Sequence, residues 1–307
     1  MDRFALVETP VRDSFAEAVR AGLSRRPRAI PPRFFYDAKG SELFEKICAL
    51  PDYYVTRTET AILERCAHEF PTSPIVVEFG CGYGAKTRLL FDAFFRARKA
   101  ITFVPVDISK TALVEASRPM LARYPGLTVR AFQAEFERAL ELIPREPSLV
   151  LFLGSNIGNF DHAESVRFLS ALRGRRVLVG FDMQKDEAIL NAAYDDAQGV
   201  TAAFNLNLLA RINRELGGDF DPAAWSHVAY YDPAKSRVEM HLESARAQTV
   251  RVADATPLSF DAGERIHTEN SYKFSTVSIA AIARESGFRI ERTWTDERGW
   301  FTVALLA

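Results

Sequence analysis

The feature that most constrains the fold of this chain is an alternation of short apolar runs with amphipathic helical runs between residues 74 and 182. The strand-like runs are PIVVEF (74–79), ITFVPVD (101–107), LTVRAF (127–132), SLVLFLG (148–154) and RRVLVGFD (175–182). Apolar strands separated by helices are typical of a parallel sheet with helices on both faces. Right-handed crossovers then predict a doubly wound α/β sheet, whose ligands bind at the carboxyl ends of the strands.

The alternation stops near residue 185, which predicts a second, smaller α+β domain. Residues 186–216 form one long helical pattern. Three runs that follow indicate antiparallel strands: WSHVAYYD, RVEMHLESA and QTVRVA. The last two runs, FRIERTWTD and WFTVALLA, predict a hairpin that returns to the sheet. We therefore expect a cofactor-binding sheet domain of residues 57–184 plus 273–307, and a substrate-binding cap domain of residues 1–56 plus 185–272.

Composition argues against several classes of protein. The net charge of −1 gives no sign of a nucleic-acid or anionic-membrane partner. The cysteines Cys48, Cys66 and Cys81 lack metal-ligand spacing, which favours reduced thiols and no bound metal. The first residues lack the apolar run of a signal peptide, and no stretch approaches the ~20 apolar residues of a membrane span. We expect a cytoplasmic monomer.

A glycine turn follows the first strand of the predicted sheet, in VVEFGCGYGAK (76–86). Glycines let the backbone turn tightly and approach a ligand without a Cβ in the way. Gly80, Gly82 and Ala85 satisfy a relaxed dinucleotide fingerprint. The acid Glu78 before the glycines is instead typical of S-adenosylmethionine (SAM) methyltransferases. A carboxylate suits a cationic sulfonium better than a pyrophosphate, so SAM is favoured while a dinucleotide stays open.

Other polar residues stand where a cofactor is expected. Asp107 ends the second strand and can accept hydrogen bonds from ribose hydroxyls, although it could instead cap the next helix. Lys86 opens the first helix, where its charge opposes the helix dipole. That position favours an anionic ligand group such as the methionine carboxylate, with an exposed lysine as the alternative. After the third strand, Glu135 and Phe136 would place an acid near the adenine amine and a ring beside it.

A late stretch, IHTENSYKF (266–274), is unusual for a core strand. Glu269 and Ser271 are two residues apart, so in a strand they point to one face. The pair could read a single polar group of a substrate. The alternative is a strand edge that faces water.

The chain resembles the L-histidine Nα-methyltransferase family of ergothioneine biosynthesis over nearly its whole length. The matching stretches are residues 33–63, the glycine turn with KTRLL, FLGSNIGNF (152–160), AYDDAQGVTAAFN (193–205), VEMHL (238–242), FDAGERIHTENSYKF (260–274) and WTDERGWF (294–301). Most of these stretches lie outside the generic cofactor motif. The resemblance implies a Rossmann-like class I methyltransferase sheet with a second domain, SAM as cofactor, no metal, and trimethylation of the α-amine of histidine to hercynine.

The resemblance also implies site residues. The cofactor contacts fall on Gly80, Lys86, Asp107, Glu135 and Phe136, beside the Glu78 and Gly82 of the glycine turn. The substrate contacts fall on Tyr53, Gly154, Asn159, Tyr194, Met240, Glu269 and Ser271. In the family, the Asn and Tyr equivalents hold the amino-acid head, and the Glu and Ser equivalents read the imidazole. Asn156 stands where Thr is usual, and we expect it beside the substrate head.

Methyl transfer to an amine requires a neutral nitrogen, so a proton must leave before each transfer. The sequence shows no dedicated base, and we expect Tyr36, Tyr53 or a water to relay the proton while Asn159 orients the amine. We expect strand alternation to point His241 away from Met240 and His267 away from Glu269, which predicts structural roles for both histidines. The candidate aromatic faces for the growing cation are Phe44, Tyr53 and Phe204.

Two other functions stay open at this stage. The chain could methylate another amino acid or a thiohistidine on the same scaffold. It could also bind SAM without catalysis, as a sensor. A dinucleotide-dependent oxidoreductase is disfavoured once the resemblance is included.

Overall fold

The computed structural model describes residues 3–9, 14–252 and 256–307. Its strands are β1 (Phe4–Glu8), β2 (Arg28–Ala29), β3 (Ile75–Phe79), β4 (Ile101–Asp107), β5 (Leu127–Gln133), β6 (Leu149–Phe152), β7 (Arg176–Asp182), β8 (Trp225–Asp232), β9 (Arg237–Ser244), β10 (Gln248–Val250), β11 (Leu258–Phe260), β12 (Arg265–Tyr272), β13 (Ile290–Thr295) and β14 (Phe301–Leu306). Its α-helices are α1 (Phe15–Ser24), α2 (Ala38–Ala49), α3 (Tyr54–Cys66), α4 (Ala85–Ala97), α5 (Lys110–Arg123), α6 (Phe136–Ala139), α7 (His162–Ser170), α8 (Glu187–Tyr194), α9 (Val200–Leu216) and α10 (Thr276–Glu285).

The chain divides into two compact units. The first unit contains Met1–Arg12, Val55–Gln184 and Lys273–Ala307, and the second contains Asp13–Tyr54 and Lys185–Tyr272. The sequence analysis assigned all of residues 1–56 to the second domain, but β1 pairs in parallel with β5 in the sheet of the first unit. Its five residues, FALVE, lie at the partly exposed edge of that sheet, and their short apolar run stands far ahead of the alternation that begins at residue 74.

The first unit is built on an eight-stranded sheet with the order β1-β5-β4-β3-β6-β7-β14-β13. The strands from β1 to β7 in this order are parallel, and β14 and β13 run antiparallel as the predicted terminal hairpin. The strand order reverses at β3, between β4 and β6. Ligands of doubly wound sheets bind at this reversal, beyond the carboxyl ends of the strands. The predicted doubly wound α/β sheet is confirmed.

The second unit contains a four-stranded sheet with the order β2-β12-β9-β8. Strand β12 is antiparallel to β9, and β9 is antiparallel to β8. Alternate residues of β9, Val238, Met240 and Leu242, are buried, and helices α8 and α9 contact this sheet. The small sheet with its helices agrees with the predicted smaller α+β domain. The predicted third strand, QTVRVA, is shorter in the structure, and its last residue lies outside the described ranges.

The predicted long helix of residues 186–216 is two helices, α8 and α9. The break lies at Asp196, whose carboxylate accepts hydrogen bonds from the backbone N–H groups of Val200 (3.0 Å) and Thr201 (2.7 Å) and so starts a new helix. Gly199 adopts a positive φ of 71° before α9. Among the described helices, none is long and apolar enough to cross a membrane.

Candidate active site

The glycine turn of the first unit leaves β3 in a conformation that requires glycine. Gly80, Gly82 and Gly84 have φ angles of +71°, +49° and +71°. The N–H of Gly80 donates to the carbonyl of Val106 in β4 (2.8 Å), which fixes the turn to the neighbouring strand. A Cβ added at Gly82 would meet nothing within 4 Å, so the backbone is open there. This open, tight turn suits a ligand that approaches the main chain closely, as the sequence predicts for SAM.

Asp107 lies at the end of β4 and is fixed by the turn. Its Oδ2 accepts a hydrogen bond from the N–H of Gly82 (3.0 Å), and its Oδ1 accepts one from the N–H of Ser109 (2.9 Å). The alternative that Asp107 caps the next helix is wrong, because Ser109 is the N-cap and accepts from Ala112 N–H. Burial raises the pKa of Asp107, whereas these hydrogen bonds lower it by a smaller amount. The carboxylate is thus aligned with the glycine turn, as a ribose contact requires.

Glu78 in β3 is buried, with 2% of its surface exposed. Its Oε2 accepts a hydrogen bond from the hydroxyl of Thr87 in α4 (2.6 Å). Burial raises the pKa of Glu78 to about 8, although the Thr87 hydrogen bond opposes this. The carboxyl therefore keeps its proton at neutral pH unless a cation stabilises the charge. Its pairing with a sulfonium remains a prediction, which the raised pKa makes testable.

Lys86 forms an ion pair that the sequence analysis did not find. Its Nζ lies 2.5 Å from Oε2 of Glu59, a residue of α3 with no exposed surface. Both carboxylate oxygens of Glu59 also accept from the N–H of Gly154 (2.9 and 2.8 Å). The signal in the sequence was the position of Glu59 within the apolar stripe of α3, between the buried Val55 and Ile62.

Phe136 lies in a cluster of phenylalanine rings in the first unit. Its centroid is 5.7 Å from that of Phe79, 5.6 Å from Phe152 and 6.4 Å from Phe160. Phe136 itself is half-buried, and Glu135 precedes it at the start of α6. An apolar ring beside a carboxyl group fits the flat face and amine of an adenine. The adenine contact of both residues stays a prediction.

The segment after β6 carries two predicted substrate residues, Gly154 and Asn159, and also Asn156, which is expected beside the substrate head. Gly154 has a φ of +75°, and its N–H is taken by Glu59, so a ligand can use only its carbonyl oxygen. The side chain of Asn156 donates to the carbonyl of Leu153 (2.9 Å). A Cβ added at Gly80 would overlap Asn156 Nδ2, so this amide lies against the glycine turn. Asn159 is half-buried at the end of a short 3₁₀ helix.

In the second unit, a β-bulge sets the direction of the two residues singled out in β12. Ile266 pairs with Leu242 of β9, but Glu269 pairs with Met240, so one residue is extra between them. Thr268 in this bulge is fully buried, and its hydroxyl donates to the carbonyl of Met240 (3.0 Å). Glu269 and Ser271 consequently lie on the same face of the sheet as Met240, as two residues that bind one substrate group must.

The bulge also explains the directions of His241 and His267. Strict alternation would put His267 and Glu269 on one face, so alternation was the wrong reason for expecting them to point apart. The register shift instead pairs His267 with His241, and their rings lie 5.1 Å apart. Burial, and then the neighbouring His267, lower the pKa of His241 to about 4. The Nε2–H of His241 donates to the Glu239 carboxylate (3.1 Å), and the Nε2–H of His267 donates to Oδ1 of Asn270 (2.8 Å), which holds the two rings. These contacts favour structural roles for both histidines.

The predicted substrate residues of the second unit lie together around Tyr194. Its hydroxyl and that of Ser271 are 2.7 Å apart and share a hydrogen bond. The rings of Tyr53 and Tyr194 are 6.1 Å apart. Burial, with Tyr194 and then Glu269 among smaller contributions, raises the pKa of Tyr53 well above its ordinary value. Tyr53 therefore remains a neutral phenol at neutral pH. It can take part in proton transfer only as a relay, which accepts one proton while it donates its own.

An aromatic cluster adjoins Tyr53. The ring of Tyr36 lies 5.6 Å from Phe44 and 5.9 Å from Phe204. Phe44 also lies 6.4 Å from Tyr53 and 6.0 Å from Phe204. The structure thus brings together the aromatic residues that the sequence proposes for the methylated ammonium, together with the proposed proton relay residue Tyr36.

His227 of β8 supports Tyr194, and the sequence analysis missed it. Its ring Nε2 lies 2.8 Å from the carbonyl oxygen of Tyr194, and Nδ1 lies 2.8 Å from Nδ2 of Asn205. A carbonyl only accepts, so Nε2 carries the proton, and the amide N–H of Asn205 donates to Nδ1, so the ring is neutral. Burial lowers the pKa of His227, which is consistent with the neutral form. No motif marks this histidine, because its partners come from α8 and α9.

Comparison with known proteins identifies the family. A family model described as histidine-specific, SAM-dependent methyltransferase matches residues 15–307. The chain is 44% identical over 307 residues to the histidine N-alpha-methyltransferase of Mycolicibacterium smegmatis, covering 95% of this chain and 96% of that protein. It is 42% identical to the protein of the same name from Mycobacterium tuberculosis, covering 94% and 93%. It is 29% identical to ergothioneine biosynthesis protein 1 of Schizosaccharomyces pombe, covering 85% of this chain and 36% of that protein. These matches confirm the predicted resemblance: the chain belongs to the family of SAM-dependent, histidine-specific methyltransferases.

Proposed function

We propose that this chain transfers three methyl groups from SAM to the α-amine of L-histidine and releases hercynine, the first step of ergothioneine biosynthesis. The names of the mycobacterial and yeast relatives support this reaction. One structural observation carries the choice of substrate. Glu269 and Ser271 share one face of β12, and Ser271 is hydrogen-bonded to Tyr194 at 2.7 Å.

Glu269 and Ser271 match the hydrogen-bonding groups of an imidazole. A neutral imidazole has one donor and one acceptor nitrogen. The Glu269 carboxylate can accept the ring N–H, and the Ser271 hydroxyl can donate to the other nitrogen while it accepts from Tyr194. An isostere without these groups would leave buried polar atoms unpaired, which can exclude it by a large factor. Met240 packs on the same face and supplies an apolar wall.

The amino-acid head needs groups that hold both an amine and a carboxylate. Asn159 offers an amide donor and an acceptor, and Tyr53 and Tyr194 offer hydroxyls. Gly154 contributes only its carbonyl oxygen, because Glu59 takes its N–H. A carbonyl accepts from an N–H, so we assign Gly154 to an amine rather than to a carboxylate. Orientation by these groups lowers the entropic barrier to reaction.

The residues of the first unit fit SAM. Gly82 leaves the main chain accessible, and Gly80 adopts the positive φ that the turn requires. Asp107 can accept from ribose hydroxyls, and Lys86 can pair with the methionine carboxylate. Glu135 and Phe136 suit the adenine amine and ring. When bound, SAM supplies an electrophilic methyl group whose reactivity comes from its sulfonium. The chain's residues then have to align the amine and exclude water.

The amine must lose a proton before each transfer. Tyr53 keeps its own proton because burial raises its pKa, so we propose a relay through Tyr36 or Tyr53 and water. The aromatic cluster of Tyr36, Phe44, Tyr53 and Phe204 would stabilise the cation through the faces of its rings. Tyr36→Phe and Tyr53→Phe test the relay through the pH–rate profile. If both variants keep the profile of the unmodified chain, the relay is wrong.

The decisive experiment incubates the purified chain with SAM and L-histidine and follows the product mass over time. We expect successive gains of one, two and three methyl groups on histidine. A panel of other amino acids and thiohistidine identifies any preferred alternative acceptor. Absence of transfer to every amine, with SAM still bound, would indicate a non-catalytic sensor. We further propose a cytoplasmic monomer, which light scattering at the mass of one chain would support.

A further inference from the structure

Glu59 is a buried charge close to the glycine turn, and the sequence analysis assigns it no role. It lies in α3 with 0% of its side chain exposed, and it pairs with Lys86, which is 23% exposed. Both of its carboxylate oxygens also accept a hydrogen bond from the N–H of Gly154, at 2.9 and 2.8 Å. One carboxylate thus connects the start of α4, after β3, with the segment after β6. These two segments flank the reversal of strand order, where ligands of such sheets bind.

Strand β7 is adapted to this carboxylate. A Cβ added at Gly180 would overlap Oε1 of Glu59 and would lie 3.0 Å from the ring of Phe301. Glycine inside a strand weakens the strand and often marks the close approach of another group. Gly180 lies within β7 and admits the Glu59 carboxylate to the surface of the sheet. The glycine is a second, independent sign that the position of Glu59 matters.

Stability alone is a weak explanation for such a pair. Two charges lose much of their hydration on burial, and well-packed apolar residues of similar volume often serve as well. The geometry around Lys86 is more informative. A Cβ added at Gly154 would lie 3.0 Å from Lys86 Nζ, so the ammonium is held directly over the Gly154 backbone. Glu59 therefore fixes where the positive charge stands.

We propose that Glu59 is a positioning residue, which holds the Lys86 ammonium in place for the carboxylate at the amino-acid end of the cofactor. An ammonium has three donors, so it can bind a second carboxylate while the first fixes its direction. This inference rests on the proposed function in one respect, the assignment of Lys86 to that carboxylate. Glu59 itself contacts neither the cofactor nor the substrate in this role.

The test compares two ligands by calorimetry. S-adenosylhomocysteine has the amino-acid end, and 5′-methylthioadenosine has the same adenosine and sulfur without it. Glu59→Gln keeps the size of the side chain and an acceptor for Gly154 N–H but removes the charge that directs Lys86. We expect the Kd of S-adenosylhomocysteine to rise about tenfold or more, and that of 5′-methylthioadenosine to change less than about twofold. Glu64→Gln is the matched control, since Glu64 is an exposed residue of the same helix.

A second set of variants protects the test against misfolding. Glu59→Asp keeps the charge one methylene shorter, and we expect it to restore part of the selective affinity. In a Lys86→Met background, Glu59→Gln should cause little further loss for S-adenosylhomocysteine, because the two residues act as one unit.

Several results would overturn the proposal. They are an equal loss for both ligands, no loss, tighter binding of S-adenosylhomocysteine, or additive losses in the double variant. A Lys86→Met chain that binds both ligands normally would also overturn it. None of these results bears on whether the unmodified chain methylates histidine, so failure of this inference is separable from failure of the proposed function.

Discussion

The glycine turn of the first unit and strand β12 of the second unit carry the predicted ligand residues, and they are built in opposite ways. The turn is a contiguous motif, and its main chain is set by positive φ angles at Gly80, Gly82 and Gly84. Strand β12 is set by its partner, because the register shift opposite Met240 decides which of its residues face inward. A motif of the first kind is readable from the chain alone, and one of the second kind depends on a distant strand.

The two regions also differ in their electrostatics. The first unit buries carboxyl groups beside its glycine turn, and burial raises the pKa of Glu78 and Asp107. The second unit surrounds Ser271 with a phenol, Tyr194, and supports it with the neutral His227. Buried carboxyl groups with raised pKa values therefore mark the region where a cationic cofactor is expected, whereas hydroxyl groups beside the carboxylate of Glu269 mark the region where the substrate ring is expected. Variants in each region should separate these two kinds of recognition.

Glu269→Ala should give the largest effect and the clearest separation. It removes the one carboxylate on the Met240 face of β12, so the imidazole N–H loses its acceptor. A charged hydrogen bond of this kind is worth about 1.5–3 kcal/mol, which corresponds to a rise of roughly 10- to 150-fold in KM for histidine. KM for SAM should change less than about twofold. Steady-state kinetics with each substrate varied in turn provide the measurement.

Glu269→Gln is the matched variant, because it keeps an acceptor without the charge and should show an intermediate KM. Equal increases in the two KM values would mean that Glu269 supports the fold rather than the substrate.

The contiguous parts of the molecule could be predicted from the sequence. The inner strands β3 to β7 appear as apolar runs, and the turn that contains Gly80 and Gly82 is marked by its glycines. The edge strand β1 was missed because its short apolar run, FALV, lies far along the chain from β5, the strand with which it pairs. The site residues of the turn remain predictions of cofactor contacts, although Asp107 is shown to be fixed to the turn.

The parts that escaped prediction depend on partners far along the chain. Glu59 bonds to residues 27 and 95 positions away, so its place in the apolar stripe of α3 indicates burial but does not identify its partners. The bulge at Thr268 changes no residue type, and it is visible only when β12 is aligned with β9. His227 gains its meaning from Tyr194 and Asn205, which are held by two helices. In each case the missing information is the pairing of segments rather than their composition.

The raised pKa of Glu78 predicts that the two cofactor forms respond differently to pH. At pH 7 the free protein holds a proton on Glu78, whose pKa is about 8. A bound sulfonium favours the carboxylate, so SAM binding should release up to about one proton. The affinity for SAM relative to S-adenosylhomocysteine, a neutral thioether, should then rise up to about tenfold per pH unit between pH 6 and 8. Calorimetry in two buffers of different ionisation enthalpy measures the protons released.

Glu78→Gln should abolish the difference between SAM and S-adenosylhomocysteine in proton release and in the pH dependence of binding. Equal proton release by SAM and S-adenosylhomocysteine in the unmodified chain would place Glu78 away from the sulfonium.

Thr268→Val tests the bulge itself. Without the bulge, Glu269 would stand opposite Glu239 and Ser271 opposite Arg237, which pairs like charges and turns both ligand groups to the other face. The hydroxyl of Thr268 pins the bulge through Met240, and losing one such bond costs about 1 kcal/mol. We expect KM for histidine to rise about fivefold with KM for SAM unchanged. Thr268→Ser keeps the hydroxyl and should have nearly the KM for histidine of the unmodified chain. If the Ser and Val variants raised this KM equally, the hydrogen bond would be excluded as the cause.

The smallest effect on activity is expected at His241, on the face of β9 opposite to Met240. Burial holds its folded pKa at about 4, below the ordinary 6.5, so the unfolded chain binds a proton first as the pH falls. Stability should therefore be full above pH 6.5 and decrease by about 1.4 kcal/mol per pH unit toward pH 4 through this one group. His241→Phe keeps the stacking on Tyr230, whose ring lies 5.6 Å away, and removes the titration. Urea unfolding between pH 4 and 7 measures the change in slope.

The outcome separates a structural histidine from a catalytic one. Burial also lowers the pKa values of His227 and His267. The free energy of unfolding of His241→Phe should therefore depend less steeply on pH, by the contribution of one proton, but should still depend on pH. Because His241 faces away from Glu269 and Ser271, His241→Phe should keep kcat and KM for histidine at pH 7 within about twofold of the unmodified chain. A large fall in kcat with an unchanged unfolding profile would instead place this histidine in the proton path and would require the bulge to leave it accessible to the substrate.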